Sequence, residues 1–383
     1  MAWSVPRYTK GRVNAAGDAY LAPHRQRDSS GAVPCEDWTS TLVFVDWDRI
    51  SRIRDDQNAI NNWRSSHNLP LFVIRRTLER RAKSISSEAV VAHRIKRLPS
   101  IEKKLLDNQY RHLKLTQIED IGGCRAIMPN IDATLALADS YKRRSIGSEL
   151  HRTRDYIQEP KDDGYRSIHL VYKYRSNVAQ YQPFLGHRIE IQIRSQLQHA
   201  WATAVEVFIT FTGIPAKIGP GEIAGILPRP VSEIANWRRF FALISSAMAL
   251  KEGQPTVPGT PSDAGEVRNE LRTLSVSLNA EELFLTWRNR VSDLLQYAVS
   301  GDVSQFLLRL NPSTGELLIR GFRKEEAEKA FEEYVTAEQP DRDAPTANVV
   351  LVSVDSIHSL QSAYPNYYAD TQSFLEALHE AVS

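Results

Sequence analysis

A seven-residue stretch from Arg188 to Arg194 alternates strictly between polar side chains and isoleucines. Side chains in a β-strand point to opposite faces in turn, so the isoleucines share one face and Arg188, Glu190, Gln192 and Arg194 share the other. The pattern predicts a strand with one face in a core. The other face combines a carboxylate, an amide and two cations, which suits a solvated surface or a functional site equally well.

A loop leading into another predicted strand, between Asp155 and His169, holds a second polar cluster. Gly164 permits a tight turn beside Tyr165. Lys161 can meet a phosphate, Tyr165 offers a flat face for a base, and His169 can donate to ribose or phosphate oxygens. A lone tyrosine in such a loop is more often a packed aromatic, so this loop alone leaves both interpretations open.

Cations gather where a third strand is followed by a helix. Strand periodicity over residues 89–97 places Arg94 and Lys96 on one face, and Ser100 precedes a helix whose first turn holds Lys103. Cations at a helix amino terminus favour a polyphosphate, and the sequence lacks a glycine-rich Walker loop.

Two carboxylates lie near these cations in the predicted sheet. Asp120 opens the stretch Asp120 to Arg125, and its oxygens suit Mg²⁺, a hard cation. Glu190 is a second carboxylate that could share the ion or take a hydroxyl proton. The predicted cofactor is therefore Mg²⁺.

The periodicities predict an α+β fold in two domains. Residues 1–252 form a mixed β-sheet flanked by helices, with strands predicted at 123–128, 167–174 and 187–194. A Pro/Gly-rich linker at 253–265 follows, and residues 266–383 form a small acidic α+β domain.

Charge is polarised along the chain although the net charge is only +2. From Gly265 to Ser383 ten Lys/Arg face nineteen Asp/Glu, a balance of −9, so the rest of the chain carries +11. A basic body suits a polyphosphate or nucleic acid, and an acidic tail could rest on that surface. Solvated charge would explain either region alone.

Composition excludes several other classes. Cys35 and Cys124 are the only cysteines, too few for a disulfide framework or a thiolate zinc site, so no zinc is predicted. No stretch reaches the roughly 20 apolar residues of a membrane span, and no signal peptide is evident. A cytoplasmic protein without a membrane partner is expected.

Four blocks together resemble the synthetase domain of RelA/SpoT enzymes over residues 74–213. They are Arg94-x-Lys96-x3-Ser100, Asp120-x2-Gly123-x-Arg125, Lys161-x2-Gly164-Tyr165-x-Ser167-x-His169 and Glu190-x-Gln192-Ile-Arg194. The resemblance implies transfer of the β,γ-pyrophosphate of ATP to a ribose 3′-hydroxyl, with AMP released. A chance match of this length is improbable, unlike that of a lone glycine motif.

The resemblance also assigns roles to the residues of the blocks. It implies that Asp120 and Glu190 manage Mg²⁺ and the attacking hydroxyl, while Tyr165 stacks on the acceptor base. The predicted ATP contacts are Arg94, Lys96, Ser100, Lys103 and Arg125. The other predicted acceptor contacts are Lys161, Ser167, His169, Gln192, Arg194 and His199.

Two departures from the family limit what is carried over. Relatives often have Glu-His followed by Tyr-Lys after the segment ending in Trp201, whereas here Glu206 is followed by Val207 and Phe208. Acceptor contacts there are in doubt. The His-Asp pair of the family's hydrolase domain is missing from the sequence, so hydrolysis of the product is not expected.

The identity of the acceptor depends on the rest of the chain. Tyr364-Pro-Asn-Tyr367 resembles a Tyr-x-x-Tyr motif in fused toxin-antitoxin members of the family, the CapRel type. There the toxin half modifies the tRNA 3′-CCA end, the motif occupies the adenine pocket, and a phage structural protein releases it. The resemblance implies an autoinhibited enzyme of phage defence with Tyr364 and Tyr367 as inhibitory residues.

Two alternatives remain from the sequence. The chain could make (p)ppGpp from GDP or GTP, because a tyrosine platform accepts guanine or adenine. It could also be a catalytically inactive RNA-binding module, although the retention of both Asp120 and Glu190 argues against this.

Overall fold

The structure is a computed structural model in which residues 3–30, 47–107, 112–143, 146–214, 231–292, 303–311, 314, 316–338, 348–353, 361, 364–368 and 370–383 are described. Cys35 lies outside these residues, and Cys124 is a buried free thiol. Among the described helices, none has the length and apolar character needed to cross a bilayer.

The helices flank one sheet. They are α1 (Lys10–Ser30), α2 (Trp47–Ser65), α3 (Asn68–Ile85), α4 (Leu98–Leu106), α5 (Ile131–Arg143), α6 (Gln196–Thr212), α7 (Val231–Lys251), α8 (Ala264–Ser277), α9 (Ala280–Ser292), α10 (Ala327–Ala337) and α11 (Gln372–Val382). Short 3-10 helices lie at Leu115–Gln117, Ala179–Phe184, Lys324–Glu326 and Pro365–Tyr368.

The sheet has eight strands in the order β3-β4-β5-β2-β1-β8-β6-β7. Their bounds are β1 (Val90–Ile95), β2 (Gly122–Met128), β3 (Glu149–Asp155), β4 (Ile168–Lys173), β5 (Arg188–Ser195), β6 (Val303–Leu310), β7 (Leu317–Arg323) and β8 (Asn348–Ser353). Strands β2 and β5 are parallel and the other pairs are antiparallel. The predicted α+β fold with a mixed sheet flanked by helices is confirmed.

The strands from the C-terminal third extend this same sheet. Strand β8 pairs with β1 through His93–Ser353 and Arg94–Val352, and β6 and β7 continue outward from β8. The domain limits at 252 and 266 stay a prediction. Strands from both predicted domains belong to one hydrogen-bonded sheet.

The segment predicted as a flexible linker is packed against α7 and the turn that precedes β4. Val257 is only 1% exposed, and its N–H donates to Ser246 Oγ at 2.9 Å. The buried guanidinium of Arg166 donates to the Pro255 carbonyl at 2.6 Å. Prolines and glycines shape the path of this segment, while a buried valine and satisfied backbone groups hold it in place.

Apolar layers cover both faces of the sheet. The three isoleucines of β5 are fully buried with residues of α3 and α5, which confirms the core face predicted for this strand. The opposite face over β1, β8 and β6 is covered by α6, α7, α9 and α11.

Two buried histidines, His67 and His187, pack against each other. We expect their burial to make the folded protein less stable in acid. The rings of His67 and His187 lie 4.5 Å apart, and His187 Nε2 is 2.8 Å from Ser66 Oγ. Burial lowers the pKa of His187 to about 4 and also lowers the pKa of His67. The His187 ring is therefore neutral in the folded protein at pH 5, whereas unfolded histidines titrate near 6.5.

The unfolded state consequently binds more protons below pH 6.5, and stability falls as the pH falls toward 4. We expect His187 to lower the free energy of unfolding by about 2 kcal/mol between pH 7 and pH 5. Urea unfolding at the two pH values measures it. His187→Gln keeps a polar group at the Nε2 position and should reduce the difference; an unchanged pH dependence in that variant would contradict the assignment.

Candidate active site

Strand β5 is followed directly by helix α6, and this junction lies at one end of the candidate site. Ser195 accepts the N–H of Gln198 at 3.2 Å, and the Gln198 side chain accepts the Ser195 N–H at 3.2 Å, a capping box. Helix α6 stops at Gly213 in the left-handed conformation, as C-terminal glycines favour. The polar residues of β5 therefore end against an ordered helix.

Glu190 lies on the polar face of β5 in a fixed orientation. Its two oxygens accept from His169 Nδ1 at 2.9 Å and Gln192 Nε2 at 2.8 Å. Burial alone would raise the pKa of Glu190, but these hydrogen bonds hold it below its usual value. The carboxylate, 7% exposed, is thus ionised and available to accept a proton.

Tyr165 extends this chain of hydrogen bonds. Its hydroxyl lies 2.8 Å from His169 Nε2, and burial raises the pKa of Tyr165 to about 12. The turn before it requires glycine: Gly164 has a φ of +93°, and a Cβ there would lie 2.8 Å from the Trp201 ring. The ring position is therefore set by tight backbone packing.

Asp120 lies just before β2 between two ammonium groups. Its oxygens accept from Lys96 Nζ at 2.6 Å and Lys104 Nζ at 2.9 Å. Burial would raise the pKa of Asp120, but the two cations lower it well below its usual value. Lys104 was not predicted from the sequence. The neighbouring Lys103, which was, is exposed to solvent.

Gly123 leaves open space between Arg94 on one neighbouring strand and Glu190 on the other. It is the register partner of Arg94 on β1 and of Glu190 on β5, and among the described residues no atom lies within 4 Å of a Cβ built on it. A side chain here would stand between the arginine and the carboxylate. Because position 123 has no side chain, the sheet surface between Arg94 and Glu190 stays open.

A cavity of about 860 Å³ opens over Asp120 and Glu190. Its walls carry many cations and imidazoles, and the predicted residues Lys161, His169 and Gln192 line it. The lining residues that were not predicted include Lys104, His112, Glu119, His151, Arg152, Arg154, Tyr156 and Arg188. Most belong to β3 or to the segment before β2, where no apolar periodicity marked a site.

A second set of predicted residues lies outside this cavity, toward β1. Arg94, Arg125 and Arg194 lie near one another, since the charge of each of the first two lowers the pKa of Arg194. Burial is the largest cause and takes that pKa to about 9. Arg194 is only 4% exposed and does not line the cavity, and it lies near Tyr165 as well as near these two arginines.

Tyr364 packs against Arg125 of this set, and Tyr367 lies beside Arg97. The Arg125 guanidinium lies 5.1 Å from the centre of the Tyr364 ring, a cation-π distance. The hydroxyl of Tyr367 is 3.5 Å from Arg97 Nη1. Both tyrosines are buried, 2% and 3% exposed, beside the predicted ATP residue Arg94.

Besides Lys96, Lys103 and Tyr165, three further predicted residues are not among those that line the cavity. Ser167 is fully buried and its hydroxyl donates to the Ile193 carbonyl at 3.1 Å, a contact that joins β4 to β5. His199 is buried in α6. Ser100 lies in the first turn of α4, with its N–H donating to the Arg97 carbonyl at 3.1 Å.

The donors at the site fit Mg²⁺ in chemistry. Asp120 and Glu190 offer ionised oxygens, the ligands that Mg²⁺ takes together with waters and substrate phosphates. No cluster of three or more metal-ligating side chains occurs among the described residues.

Residues 93–211 match the family described as the region found in RelA and SpoT proteins. This region of the chain is therefore similar to RelA and SpoT proteins. The match, together with the GTP pyrophosphokinase relatives of the same region, supports a pyrophosphotransferase. The match spans β1 to the end of α6 and so contains Asp120, Glu190 and the hydrogen-bonded chain between Tyr165 and Gln192.

Named relatives agree with this RelA/SpoT assignment. The GTP pyrophosphokinase YwaC of Bacillus subtilis is 26% identical over 168 residues, 40% of this chain and 78% of the relative. The GTP pyrophosphokinase YjbM of the same species is 29% identical over 152 residues, 38% of this chain and 70% of the relative.

The solved structures include that of small alarmone synthetase 1 from Bacillus subtilis bound to its product pppGpp. It has 21% sequence identity and a TM-score of 0.36, and it covers 49% of this chain and 92% of the solved chain.

Proposed function

We propose that the RelA/SpoT domain transfers the β,γ-pyrophosphate of ATP to the 3′-hydroxyl of the terminal adenosine of tRNA. We further propose that the C-terminal region keeps it inactive until a partner binds. The observation that carries the reaction is the pair of ionised carboxylates, Asp120 and Glu190, on a cavity rimmed by cations. The wide, basic cavity suits a nucleic-acid end.

The chain's own residues supply positioning and charge. Glu190 accepts the proton of the ribose hydroxyl, and the freed O3′ attacks the β-phosphorus of ATP in line. The bond between the β-phosphorus and the oxygen bridging it to the α-phosphorus breaks, and AMP leaves with that oxygen. Lys96 and Lys104, paired with Asp120, lie where they can meet the phosphates.

Bound Mg²⁺, held by Asp120 and Glu190, would neutralise charge on the transferred group. Tyr165 offers the acceptor base a ring whose position is fixed by Gly164 and His169. Base stacking on such a ring is worth about 1 to 3 kcal/mol and tolerates either purine.

A second candidate acceptor is GDP or GTP. It is favoured by the names of two relatives, both GTP pyrophosphokinases. Those relatives match only 38% to 40% of this chain, and the C-terminal third, with Tyr364 and Tyr367, lies outside the matched region. That additional region favours a regulated toxin acting on tRNA in phage defence.

Contacts from the C-terminal region support the proposed closed state. Tyr364 lies over Arg125, where a stacked adenine would compete with it. Glu338 accepts the Leu98 N–H at 2.8 Å at the amino terminus of α4, so a carboxylate holds a position favourable to phosphate. Glu338 also pairs with the fully buried Arg64 at 2.8 Å.

We propose residues 1–252 as the toxin part, 253–265 as the connection and 266–383 as the antitoxin-like part, in a cytoplasmic protein. The proposed activator is a phage structural protein that binds the open state better than the closed one. A shift from mostly closed to mostly open requires roughly 5 kcal/mol of differential affinity. A protein interface can supply that.

The proposal is tested by incubating the full chain, and its Tyr364→Ala/Tyr367→Ala variant, with γ-labelled ATP, Mg²⁺ and either deacylated tRNA, GDP or GTP. We expect label on tRNA, located at the terminal adenosine by nuclease digestion and mass spectrometry, with AMP as coproduct. Periodate-oxidised tRNA keeps the sequence but loses the 3′-hydroxyl, and it should stay unlabelled.

If label appears only on GDP or GTP, the acceptor is the second candidate and not tRNA. Absence of transfer to all three acceptors, in both chains, would contradict the proposed function.

A further inference from the structure

Both ring nitrogens of His169 are occupied by other side chains. Nδ1 lies 2.9 Å from Glu190 Oε1, and Nε2 lies 2.8 Å from the Tyr165 hydroxyl. The imidazole is 8% exposed and is packed edge-on against the rings of Tyr156 and Tyr165. It therefore has no nitrogen to spare for the ribose or phosphate oxygens that the sequence predicted as its ligands.

The partners decide which nitrogen carries the proton. Burial keeps the Tyr165 phenol protonated, so its O–H can donate to Nε2. Glu190 has only acceptors, so the proton of a neutral imidazole belongs on Nδ1, from which it donates to the carboxylate. The donors run in one direction, from Tyr165 through His169 to Glu190.

This arrangement fixes the carboxylate from two sides. His169 holds Oε1 and Gln192 holds Oε2, and His169 and Gln192 are register partners on neighbouring strands. Each carboxylate oxygen keeps a further lone pair that can face the cavity. The orientation of the base thus depends on the imidazole, while the imidazole depends on the tyrosine.

We infer that His169 is a positioning residue that links the stacking ring of Tyr165 to the carboxylate of Glu190, so that correct seating of the acceptor base and alignment of the proton acceptor occur together. This inference rests on the proposed function, since it takes Glu190 as the proton acceptor and Tyr165 as the acceptor platform. It replaces the direct acceptor contact expected of His169.

Two substitutions separate the two hydrogen bonds. Asparagine at 169 places an amide nitrogen near the Nδ1 position, so H169N keeps the donor to Glu190 and loses the contact to Tyr165. Glutamine places its amide near the Nε2 position, so H169Q keeps a partner for Tyr165 and leaves Glu190 without its donor. The pair is matched in chemistry and differs only in reach.

The test uses the full chain carrying Tyr364→Ala and Tyr367→Ala, so that the closed state does not limit the rate, and measures kcat and the acceptor KM. We expect H169Q to lower kcat by about 10²-fold, as a small displacement of a reacting group does. H169N should lower kcat by less than about tenfold and raise the acceptor KM about fivefold, the effect of one lost hydrogen bond.

Tyr165→Phe removes the same hydrogen bond from the other side, so it should raise the acceptor KM as H169N does. Combining it with H169N should add little to that change. Thermal unfolding establishes that each variant folds. If H169Q does not fold, H169N and Tyr165→Phe decide, and an unchanged acceptor KM in both overturns the inference.

The possible results separate two failures. A background chain that transfers no pyrophosphate to tRNA, GDP or GTP overturns the proposed function itself. An active background in which H169N and H169Q change kcat and acceptor KM alike, or in the reverse order, overturns the positioning role of His169 alone.

Discussion

Glu190→Gln and Asp120→Asn should each lower the rate of pyrophosphate transfer by about 10²- to 10⁴-fold while the chain stays folded. The amide of glutamine keeps the shape of Glu190 but cannot accept the ribose proton. Asparagine at 120 removes the charge that balances Lys96 and Lys104, both within 3 Å of its oxygens. Either loss also removes a ligand suited to Mg²⁺.

The measurement is the initial rate of AMP release and acceptor labelling at saturating ATP. Glu149→Gln is a matched control, because Glu149 also pairs with two cations, Lys173 and Arg175, but does not line the cavity. It should leave the rate near that of the parent. Turnover close to the parent's in either the Glu190 or the Asp120 variant would remove that carboxylate from the mechanism.

Replacing Tyr364 and Tyr367 together by alanine should raise the rate of the full chain by up to about 10²-fold, if the closed state holds about 99% of the molecules. Both rings are buried against the predicted ATP site, and Arg125 would be uncovered. A tethered segment has an effective concentration of order millimolar, so even weak contacts keep a site closed. ATP affinity should rise with the rate.

Loss of two buried rings also destabilises the fold by several kcal/mol, so a control of equal burial is needed. Tyr368 lies in the same 3-10 helix and is 4% exposed, and among the described residues its hydroxyl has no hydrogen-bond partner. Tyr368→Ala should therefore destabilise without activating. Equal activation by Tyr368→Ala, or none by the double variant, would contradict the inhibitory role of Tyr364 and Tyr367.

Strand β5 shows what the sequence predicts well. Its alternation of isoleucines and polar residues has one physical cause, the two faces of a strand, and the structure confirms both. The strands predicted at 123–128 and 167–174 likewise correspond to β2 and β4. Strand β3 was missed because it is an edge strand with mostly exposed residues, so no core imposes a pattern on it. Its Arg152 and Arg154 nevertheless line the cavity.

Side-chain direction was the other limit. Lys103 and Lys104 are adjacent in sequence, and only the rotation of α4 decides that Lys104 contacts Asp120. Arg194 shares the polar face of β5 with Glu190, yet it does not line the cavity and instead lies near Arg125 and Tyr165. The spacing of residues along a strand predicts which side chains share a face. It does not predict which ligand each part of that face contacts.

The pairing of β8 with β1 has a practical consequence for how this enzyme can be dissected. Deleting the chain beyond Lys251 would strip β1 of its neighbour and leave the aromatic layer of Phe208, Phe240 and Phe241 without Phe284 and Phe374. An unpaired edge beside bare aromatic rings is a template for aggregation. If the shortened enzyme is inactive, the cause would then be insolubility and not a change in regulation. Under the proposed regulation, an activator would loosen local contacts while the shared strands remain joined.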